Sequence, residues 1–222
     1  MTGGAGDFEE GSVAERKMRF LYALRSRGVT DIRVLTAMER IDRGLFVRGV
    51  FADRAYEDMP LPIACGQTIS QPSIVGLMTQ ALNVQPRDKV LEVGTGCGYQ
   101  AAVLARVFGE VFSVERIRGL HEAARANLRP LRLPNLRLAY GDGFQGLPDQ
   151  GPFDAIILAA AGDAVPEPLL LQMSIGGRLI APVLSGPGRQ QVLHWVERPG
   201  ADDWRLHVLD AVRFVPLQRG TS

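Results

Sequence analysis

The residues with the clearest chemical meaning follow a short apolar run at residues 90–93. Three glycines stand at alternate positions behind this run, Gly94, Gly96 and Gly98, and a helical pattern begins directly after them. Glycines between a strand and a helix let the backbone approach a ligand, and the helix N-terminus offers that ligand unpaired N–H groups. The sequence therefore predicts a nucleotide site at this turn.

The spacing of the glycines narrows the choice of nucleotide. Dinucleotide-binding turns follow G-x-G-x-x-G, and the third glycine allows close helix–strand packing near the pyrophosphate. Here the spacing is G-x-G-x-G, and Tyr99 stands where that fingerprint has its third glycine. A large side chain at this position favours a ligand without a pyrophosphate.

Acidic residues at the ends of the next two apolar runs favour a nucleoside. Glu115 lies 21 residues after Gly94, where a carboxylate can accept both hydroxyls of a ribose. Asp142, between Gly141 and Gly143, can accept an adenine amino group. Alone, Glu115 would suit a helix start and Asp142 a turn. Together they favour a nucleoside with a short tail, and S-adenosylmethionine is the common cofactor of that shape.

The surrounding pattern predicts an α/β fold that positions these residues. Apolar runs alternate with helical patterns, as is typical of a Rossmann-like, doubly wound and mostly parallel sheet. From residue 190 the pattern has period two, which predicts a C-terminal antiparallel hairpin. We expect about seven strands in all, with helices N-terminal to them. The parallel strands are predicted at residues 90–93, 111–114, 136–140, 155–159 and 178–182, with Gly176-Gly177 as a turn before the last.

Two N-terminal helices and an irregular segment precede this sheet. A helical face in the first combines Ala14, Met18, Leu21 and Leu24, and Gly28 is placed to end it. The second is expected to begin at Thr30 or Asp31 as N-cap and to carry Ile32, Leu35 and Met38.

A third helix is expected to open at Gln71-Pro72, after the irregular residues 55–70. Spacing alone favours Ser70 as the cap of this helix. The same position would also aim its hydroxyl at a ligand beyond the helix end, which suits a carboxylate. Both interpretations of Ser70 stay open at this point.

Length and composition fit one domain spanning residues 1–222. Within it we expect a mobile stretch at 1–12, a substrate-side part at 13–70, a cofactor-binding core at 71–182 and antiparallel strands at 183–222. The net charge is only +1, so we expect neither nucleic acid nor a membrane as partner. The sequence also lacks the apolar run of a membrane span and the pattern of a secretory signal, which favours the cytoplasm.

The titratable side chains offer neither a metal site nor an evident catalytic base. Cys65 and Cys97 lack the spacing of zinc ligands and fit reduced thiols, so no metal is expected. The histidines His121, His194 and His207 lie outside the predicted strand ends. An acceptor carboxylate would need no base, because its pKa near ~4 leaves it ionised at neutral pH. The strand at 155–159 lacks the Asn/Asp-Pro-Pro-aromatic tetrapeptide of methyltransferases acting on nucleic-acid amines, so that role is disfavoured.

Over roughly residues 13–220 the chain resembles the protein-L-isoaspartate O-methyltransferase family. The matching segments are AYEDMPLPIACGQTISQP, VLEVGTGCGYQAAVLA, VFSVERI, GDGFQGLPDQGPFDAIILAAA, GGRLIAPV and RFVPL. The resemblance implies methyl transfer from S-adenosylmethionine, leaving S-adenosylhomocysteine, to the free α-carboxylate of L-isoaspartyl residues in damaged proteins. It implies isoaspartyl proteins and peptides as partners, and we expect a monomer.

The resemblance also implies which residues form the site. Ser70 corresponds to the family's active-site serine and would orient the isoaspartyl carboxylate, while backbone near Phe214 and Val215 would clamp the peptide. The implied cofactor-binding residues are Thr68, Ile69, Gln71, Glu92, Gly94, Thr95, Gly96, Gly98, Tyr99, Gln100, Glu115, Arg116, Asp142 and Gly143.

The chain departs from the usual family pattern at Cys97, at Ser73 and at Gly162-Asp163. Ser73 stands where an aromatic residue or histidine is commoner, which leaves open a methyltransferase of a small molecule or of a specialised peptide. A non-catalytic module that binds S-adenosylmethionine is a third alternative, since fold and function separate easily.

Overall fold

The computed structural model describes residues 13–83 and 85–222, so the expectations for residues 1–12 and for the Ala14 side chain lie outside the described residues. The helices are α1 (Val13–Ser26), α2 (Ile32–Arg40), α3 (Pro72–Ala81), α4 (Tyr99–Val107), α5 (Arg118–Leu128) and α6 (Glu167–Leu171). The strands are β1 (Leu61–Pro62), β2 (Thr68–Ile69), β3 (Lys89–Val93), β4 (Glu110–Glu115), β5 (Leu136–Tyr140), β6 (Phe153–Leu158), β7 (Met173–Ser185), β8 (Gln190–Gly200) and β9 (Asp203–Ala211). Within these ranges no helix is both long and apolar enough to cross a membrane.

A seven-stranded sheet organises the molecule, in the order β5-β4-β3-β6-β7-β8-β9. The strands from β5 to β7 pair in parallel, whereas β8 and β9 are antiparallel to their neighbours. This confirms the mostly parallel sheet and the antiparallel hairpin. The strand order reverses between β3 and β6, and ligands bind open α/β sheets at the carboxyl ends of strands beside such a point.

The inner parallel strands β3, β4 and β6 are buried on both faces, which explains their largely apolar sequences. Val90 packs into the core cluster on the α4 side, while its neighbour Leu91 packs into the cluster on the α6 side. Residues on one strand alternate between faces, so both clusters draw on the same strands. The sheet is thereby fixed from two sides, and its carboxyl edge is a rigid base for a site.

The N-terminal helices form as expected, but two of their apolar residues are exposed. Met18 and Ile32 are 70% and 75% exposed. In α1 the buried positions are Phe20 and Leu24, one turn apart, and Phe20 packs edge-on against the Tyr56 ring at 5.4 Å. The expected apolar faces were therefore wrong at Met18 and at Ile32, and in α1 an aromatic partner outside the helix sets which side is buried.

The expected turn at Gly176-Gly177 is wrong, because both glycines lie inside β7. Phe153 pairs with Met173 and Ala155 with Arg178, so the register shifts and β7 is irregular between these pairs. A Cβ at Gly177 would lie 2.8 Å from the Ser174 carbonyl oxygen, so glycine allows the backbone to fold back on itself. One interrupted strand thus replaces the expected turn and strand.

Candidate active site

The glycine turn joins β3 to α4 and forms one wall of an open cavity at the carboxyl edge of the sheet. Gly94 and Gly96 line this cavity with positive φ angles of 96° and 55°, a conformation that favours glycine. Gly98 also has a positive φ, but a Cβ there would lie 2.8 Å from the Leu128 Cδ1 atom on α5. The first two glycines therefore leave backbone bare at the cavity, while the third lets α4 pack on α5.

Most of the residues expected in the site line this one cavity, at the carboxyl edge of the sheet. Gln71, Gly98, Asp142 and Phe214 do not line it. Those that do are Thr68, Ile69, Ser70, Glu92, Gly94, Thr95, Gly96, Tyr99, Gln100, Glu115, Arg116, Gly143 and Val215.

Glu115, the last residue of β4, ties the glycine turn to the start of α5. Its Oε2 atom accepts a hydrogen bond from the Gly96 N–H at 2.8 Å, and its Oε1 atom accepts one from the Ile117 N–H at 2.9 Å. The residue is 4% exposed and lines the cavity. A carboxylate has about four lone-pair sites, so Glu115 keeps acceptor capacity for hydroxyl groups while it orders the turn.

Glu92 is a fully buried carboxyl beneath the glycine turn. The Ser113 hydroxyl donates a short hydrogen bond to its Oε2 atom, and the Thr95 and Ser113 hydroxyl oxygens lie 2.5 Å apart. Its Oε1 atom is buried and has no hydrogen-bond partner among the described residues. Burial raises the pKa of Glu92 to about 8, reinforced by the charge of Glu115 and opposed by the Ser113 hydrogen bond.

Replacing Glu92 by glutamine should stabilise the protein increasingly as the pH rises. The folded-state pKa lies at about 8 and the ordinary pKa of a glutamate is 4.5, so between these values the folded state keeps a proton that the unfolded state releases. The stability contribution of Glu92 is therefore intact below pH 4.5 and is lost as pH rises towards 8. Between pH 6 and 7 the advantage of Glu92→Gln should grow by about 1 kcal/mol, as measured by urea unfolding. A difference that stays flat or shrinks over this range would contradict the assignment.

Ser70 follows β2 and is half-buried at the cavity. Gln71 occupies the N-cap position of α3, but its side chain does not cap the helix. Asp58 does so instead: its carboxylate accepts hydrogen bonds from the Ser73 N–H at 2.8 Å and from Gln71 Nε2 at 3.0 Å. The interpretation of Ser70 as a helix cap is therefore wrong, because a carboxylate distant in sequence takes that place. The Ser70 hydroxyl is left for the cavity.

The three places where the chain departs from the family pattern differ in whether they reach the cavity. Ser73 is 1% exposed and does not line the cavity, so it offers no side chain to a ligand there. Cys97 does line the cavity, and burial raises the pKa of its thiol to about 11, which keeps it protonated at neutral pH. Gly162 is bound to β7 through the Pro182 carbonyl and the Leu184 N–H, and Asp163 pairs with Arg189 on the surface.

The segment 214–222 runs along the carboxyl edge of the sheet and closes one side of the cavity. Ala161 binds it through the Val215 carbonyl at 2.8 Å and the Leu217 N–H at 2.7 Å. Both backbone groups of Phe214 are held by the Gln191 carboxamide, at 2.5 and 3.0 Å. Val215, rather than Phe214, is the expected clamp residue that reaches the cavity.

Asp142 binds the same segment and does not face the cavity. Its carboxylate accepts hydrogen bonds from the Phe144 N–H at 2.9 Å and from the Gly220 N–H at 2.8 Å. Arg116 donates to the Gly220 carbonyl and to the Gln218 side chain. Next to Asp142, Gly143 lines the cavity, and a Cβ there would lie 2.6 Å from the Val93 Cγ1 atom.

Sequence reasoning missed part of the cavity wall. Gln67 lies in the same irregular segment as Ser70, and its position before Thr68 was the available signal. Leu217 ends the RFVPL segment and Gln218 follows it, but only the fold brings them to the strand ends. The other unpredicted lining residues are Val75, Val93, Cys97, Val114, Ile117, Leu120, Ala159, Ala160 and Pro216.

Comparison with known proteins confirms the family resemblance. A family model described as protein-L-isoaspartate(D-aspartate) O-methyltransferase (PCMT) matches residues 15–222. A protein-L-isoaspartate O-methyltransferase of Paracoccus denitrificans is 57% identical over 212 residues, covering 96% of this chain and 97% of the relative. The corresponding protein of Cereibacter sphaeroides is 58% identical over 207 residues, covering 93% and 94%.

Solved structures agree with this assignment. One protein-L-isoaspartate O-methyltransferase superposes with a TM-score of 0.82 at 30% identity, over 90% of this chain but only 65% of that chain. A Plasmodium falciparum protein described by the same name, in complex with S-adenosyl-L-homocysteine, has a TM-score of 0.79 at 26% identity, covering 91% and 98%. With a family model matched from residue 15 to residue 222 and relatives above half identity, this chain belongs to the protein-L-isoaspartate(D-aspartate) O-methyltransferase family.

Proposed function

We propose that this protein methylates the free α-carboxylate of L-isoaspartyl residues in damaged proteins, using S-adenosylmethionine. The resulting ester collapses to a succinimide, which reopens partly to normal aspartate, so the reaction initiates repair. One observation carries the proposal: in a chain of this family, the Ser70 position and the glycine turn with Glu115 line the same cavity.

The cavity residues fit S-adenosylmethionine. Gly94 and Gly96 present bare backbone, Glu115 is a buried carboxylate suited to ribose hydroxyls, and Gly143 lines the same cavity in close contact with Val93. The Oε1 atom of Glu92 adds a buried polar group without a hydrogen-bond partner among the described residues. When bound, this cofactor supplies an electrophilic methyl group on a sulfonium, and these residues would hold it.

Ser70 would orient the acceptor carboxylate towards that methyl group. In-line transfer depends mainly on placing two groups at the right distance and angle. No base is required, because a carboxylate is already ionised at neutral pH. In the part of the chain that the structure describes, none of the three histidines lines the cavity, which is consistent with a reaction that removes no proton from the acceptor.

The substrate is proposed to be a polypeptide that enters beside β2 and the 214–222 segment. Val215 and Ser70 line the same cavity, and backbone at Val215 would hold the peptide beside its isoaspartyl residue. A net charge of +1 supports protein rather than nucleic acid or a membrane as partner. We further propose that the protein acts as a cytoplasmic monomer.

Methylation of matched peptides tests this function. The protein is incubated with labelled S-adenosylmethionine and two peptides of one sequence, one isoaspartyl and one aspartyl. We expect label in the isoaspartyl peptide at least about tenfold above the aspartyl peptide, because only the former has a free α-carboxylate within the chain. Equal label in both would indicate a different specificity, and label in neither, with S-adenosylhomocysteine bound, would indicate a non-catalytic module.

A further inference from the structure

Arg43 is a fully buried cation directly behind the Ser70 backbone. It opens a short 3-10 turn, Arg43–Phe46, and its exposed fraction is 0%. Its Nε atom donates to the Ala55 carbonyl at 2.7 Å, and its Nη2 atom donates to the Ser70 carbonyl at 3.1 Å. The guanidinium thus joins the substrate-side segment at two points, one of them the serine of the site.

The other side of the guanidinium faces the glycine-turn helix. Its Cζ atom lies 4.8 Å from the centre of the Tyr99 ring, and Tyr99 lines the cavity. Burial raises the pKa of the Tyr99 hydroxyl to about 12, although the Arg43 charge opposes this shift, so the ring is neutral at physiological pH. Arg43 therefore links the Ser70 segment to the cavity wall without gaining a negative partner from Tyr99.

The charge of Arg43 is not balanced by a carboxylate in contact with it. Its Nη1 atom is buried and has no hydrogen-bond partner within residues 13–83 and 85–222. Asp58 acts on it electrostatically, but the Asp58 oxygens are taken by the Ser73 N–H and the Gln71 side chain. Burial lowers the pKa of Arg43, yet a guanidinium stays charged at neutral pH. A buried, unbalanced charge is costly unless an anion arrives nearby.

We propose that Arg43 is a positioning residue of the methyl transfer: it fixes the Ser70 backbone and supplies the positive charge that balances the incoming isoaspartyl carboxylate. The proposal rests on the function proposed above. Bond lengths place the Ser70 hydroxyl oxygen within about 4 Å of its own carbonyl oxygen, so it lies within about 7 Å of Arg43 Nη2. A carboxylate bonded to that hydroxyl would lie within about 10 Å of Arg43 Nη2. At that distance in a buried site, a cation still favours an anion over a neutral group by about tenfold.

The test separates charge from packing by comparing two ligands. The first is an isoaspartyl peptide, and the second is the same peptide with its free α-carboxylate replaced by a carboxamide. Their dissociation constants are measured by calorimetry with S-adenosylhomocysteine present, for wild type, Arg43→Gln and Arg43→Lys. Arg40→Gln is the matched control, because it removes the same charge from an exposed position on α2.

We expect wild type and Arg40→Gln to bind the carboxylate peptide more tightly than the carboxamide peptide. In Arg43→Gln the ratio of these two dissociation constants should shrink by about tenfold. Arg43→Lys should keep the preference but lower kcat, since an ammonium cannot reproduce both guanidinium contacts. Equal weakening of both peptides in Arg43→Gln would show a merely structural role and overturn the proposal. If Arg43→Gln does not fold, loss of the preference in a folded Arg43→Lys overturns it as well. Failure of wild type to methylate the isoaspartyl peptide would instead overturn the proposed function.

Discussion

Replacing Ser70 by alanine should lower kcat/KM for an isoaspartyl peptide by about 100-fold and leave the affinity for S-adenosylhomocysteine within about twofold. The hydroxyl is proposed to contact the substrate carboxylate, and small errors in placing a reacting group cost about two orders of magnitude. The glycine turn and Glu115 make no recorded hydrogen bond to this side chain, so the cofactor wall should be unaffected. Steady-state kinetics and calorimetry measure the two quantities.

Ser70→Thr is the matched control, since it keeps the hydroxyl on a bulkier side chain. We expect it to recover at least tenfold of the lost kcat/KM. Ser73→Ala provides a second control, because Ser73 is buried in α3 outside the cavity. If Ser70→Ala turns over normally but binds the cofactor poorly, Ser70 belongs to the cofactor wall and its proposed role is wrong.

The cofactor side of the site could be predicted because its signals are local. The spacing of Gly94 and Gly96 predicts a turn whose backbone is not covered by side chains, and Glu115 lies at the end of the following strand. Parallel strands bring their carboxyl ends to one edge, so the period of the sequence already implies that these residues meet. The α/β class and the final antiparallel strands follow from the same periodicities.

The substrate side could not be derived from local pattern, because its contacts join distant residues. Ser70 looks like a helix cap until Asp58 is seen to accept from the Ser73 N–H across 15 positions. Asp142 looks like a residue of a local turn until its carboxylate is seen to hold the Gly220 N–H, 78 positions away. No spacing rule relates such pairs, and only the resemblance to a family assigned Ser70 its role.

The errors in the helices and in β7 have the same physical origin. An apolar side chain at helical spacing can face the core or solvent, and packing of Phe20 on Tyr56 turned Met18 outwards. Paired glycines suit a turn between elements and an irregularity within a strand equally well, and pairing with β6 on both sides places Gly176-Gly177 inside β7. Local propensity is a weak guide where tertiary contacts choose between two allowed structures.

The role proposed for Arg43 could not be predicted from the sequence. In the sequence it is an arginine between Asp42 and Gly44, as expected of a surface turn. In the fold it is fully buried against Tyr99, with Ser70 as a hydrogen-bond partner. Burial of a charge is invisible in a single sequence, although it makes electrostatic effects much larger than they are at the surface.

Replacing Glu115 by alanine should raise the dissociation constant of S-adenosylhomocysteine by about 100-fold. The carboxylate accepts from the Gly96 and Ile117 N–H groups, so its loss releases the glycine turn and, by the proposed role, also removes the acceptor of the ribose. Hydrogen bonds to a charged group contribute roughly 1.5–3 kcal/mol each, which is about 10- to 150-fold in affinity. Calorimetry measures the constant, and Glu122→Ala, an exposed change on α5, is the control.

A modified ligand separates the ribose contact from the ordering of the turn. Wild type should bind a 3′-deoxy analogue of S-adenosylhomocysteine about tenfold more weakly than the parent, whereas Glu115→Ala should bind both almost equally, because the acceptor for that hydroxyl is gone. Glu115→Gln should fall between wild type and alanine, since an amide oxygen can replace only one of the two carboxylate oxygens and its NH₂ faces a backbone N–H. If Glu115→Ala still distinguishes the two ligands as wild type does, Glu115 orders Gly96 and Ile117 without touching the ribose. The ribose acceptor would then have to be sought elsewhere on the cavity wall.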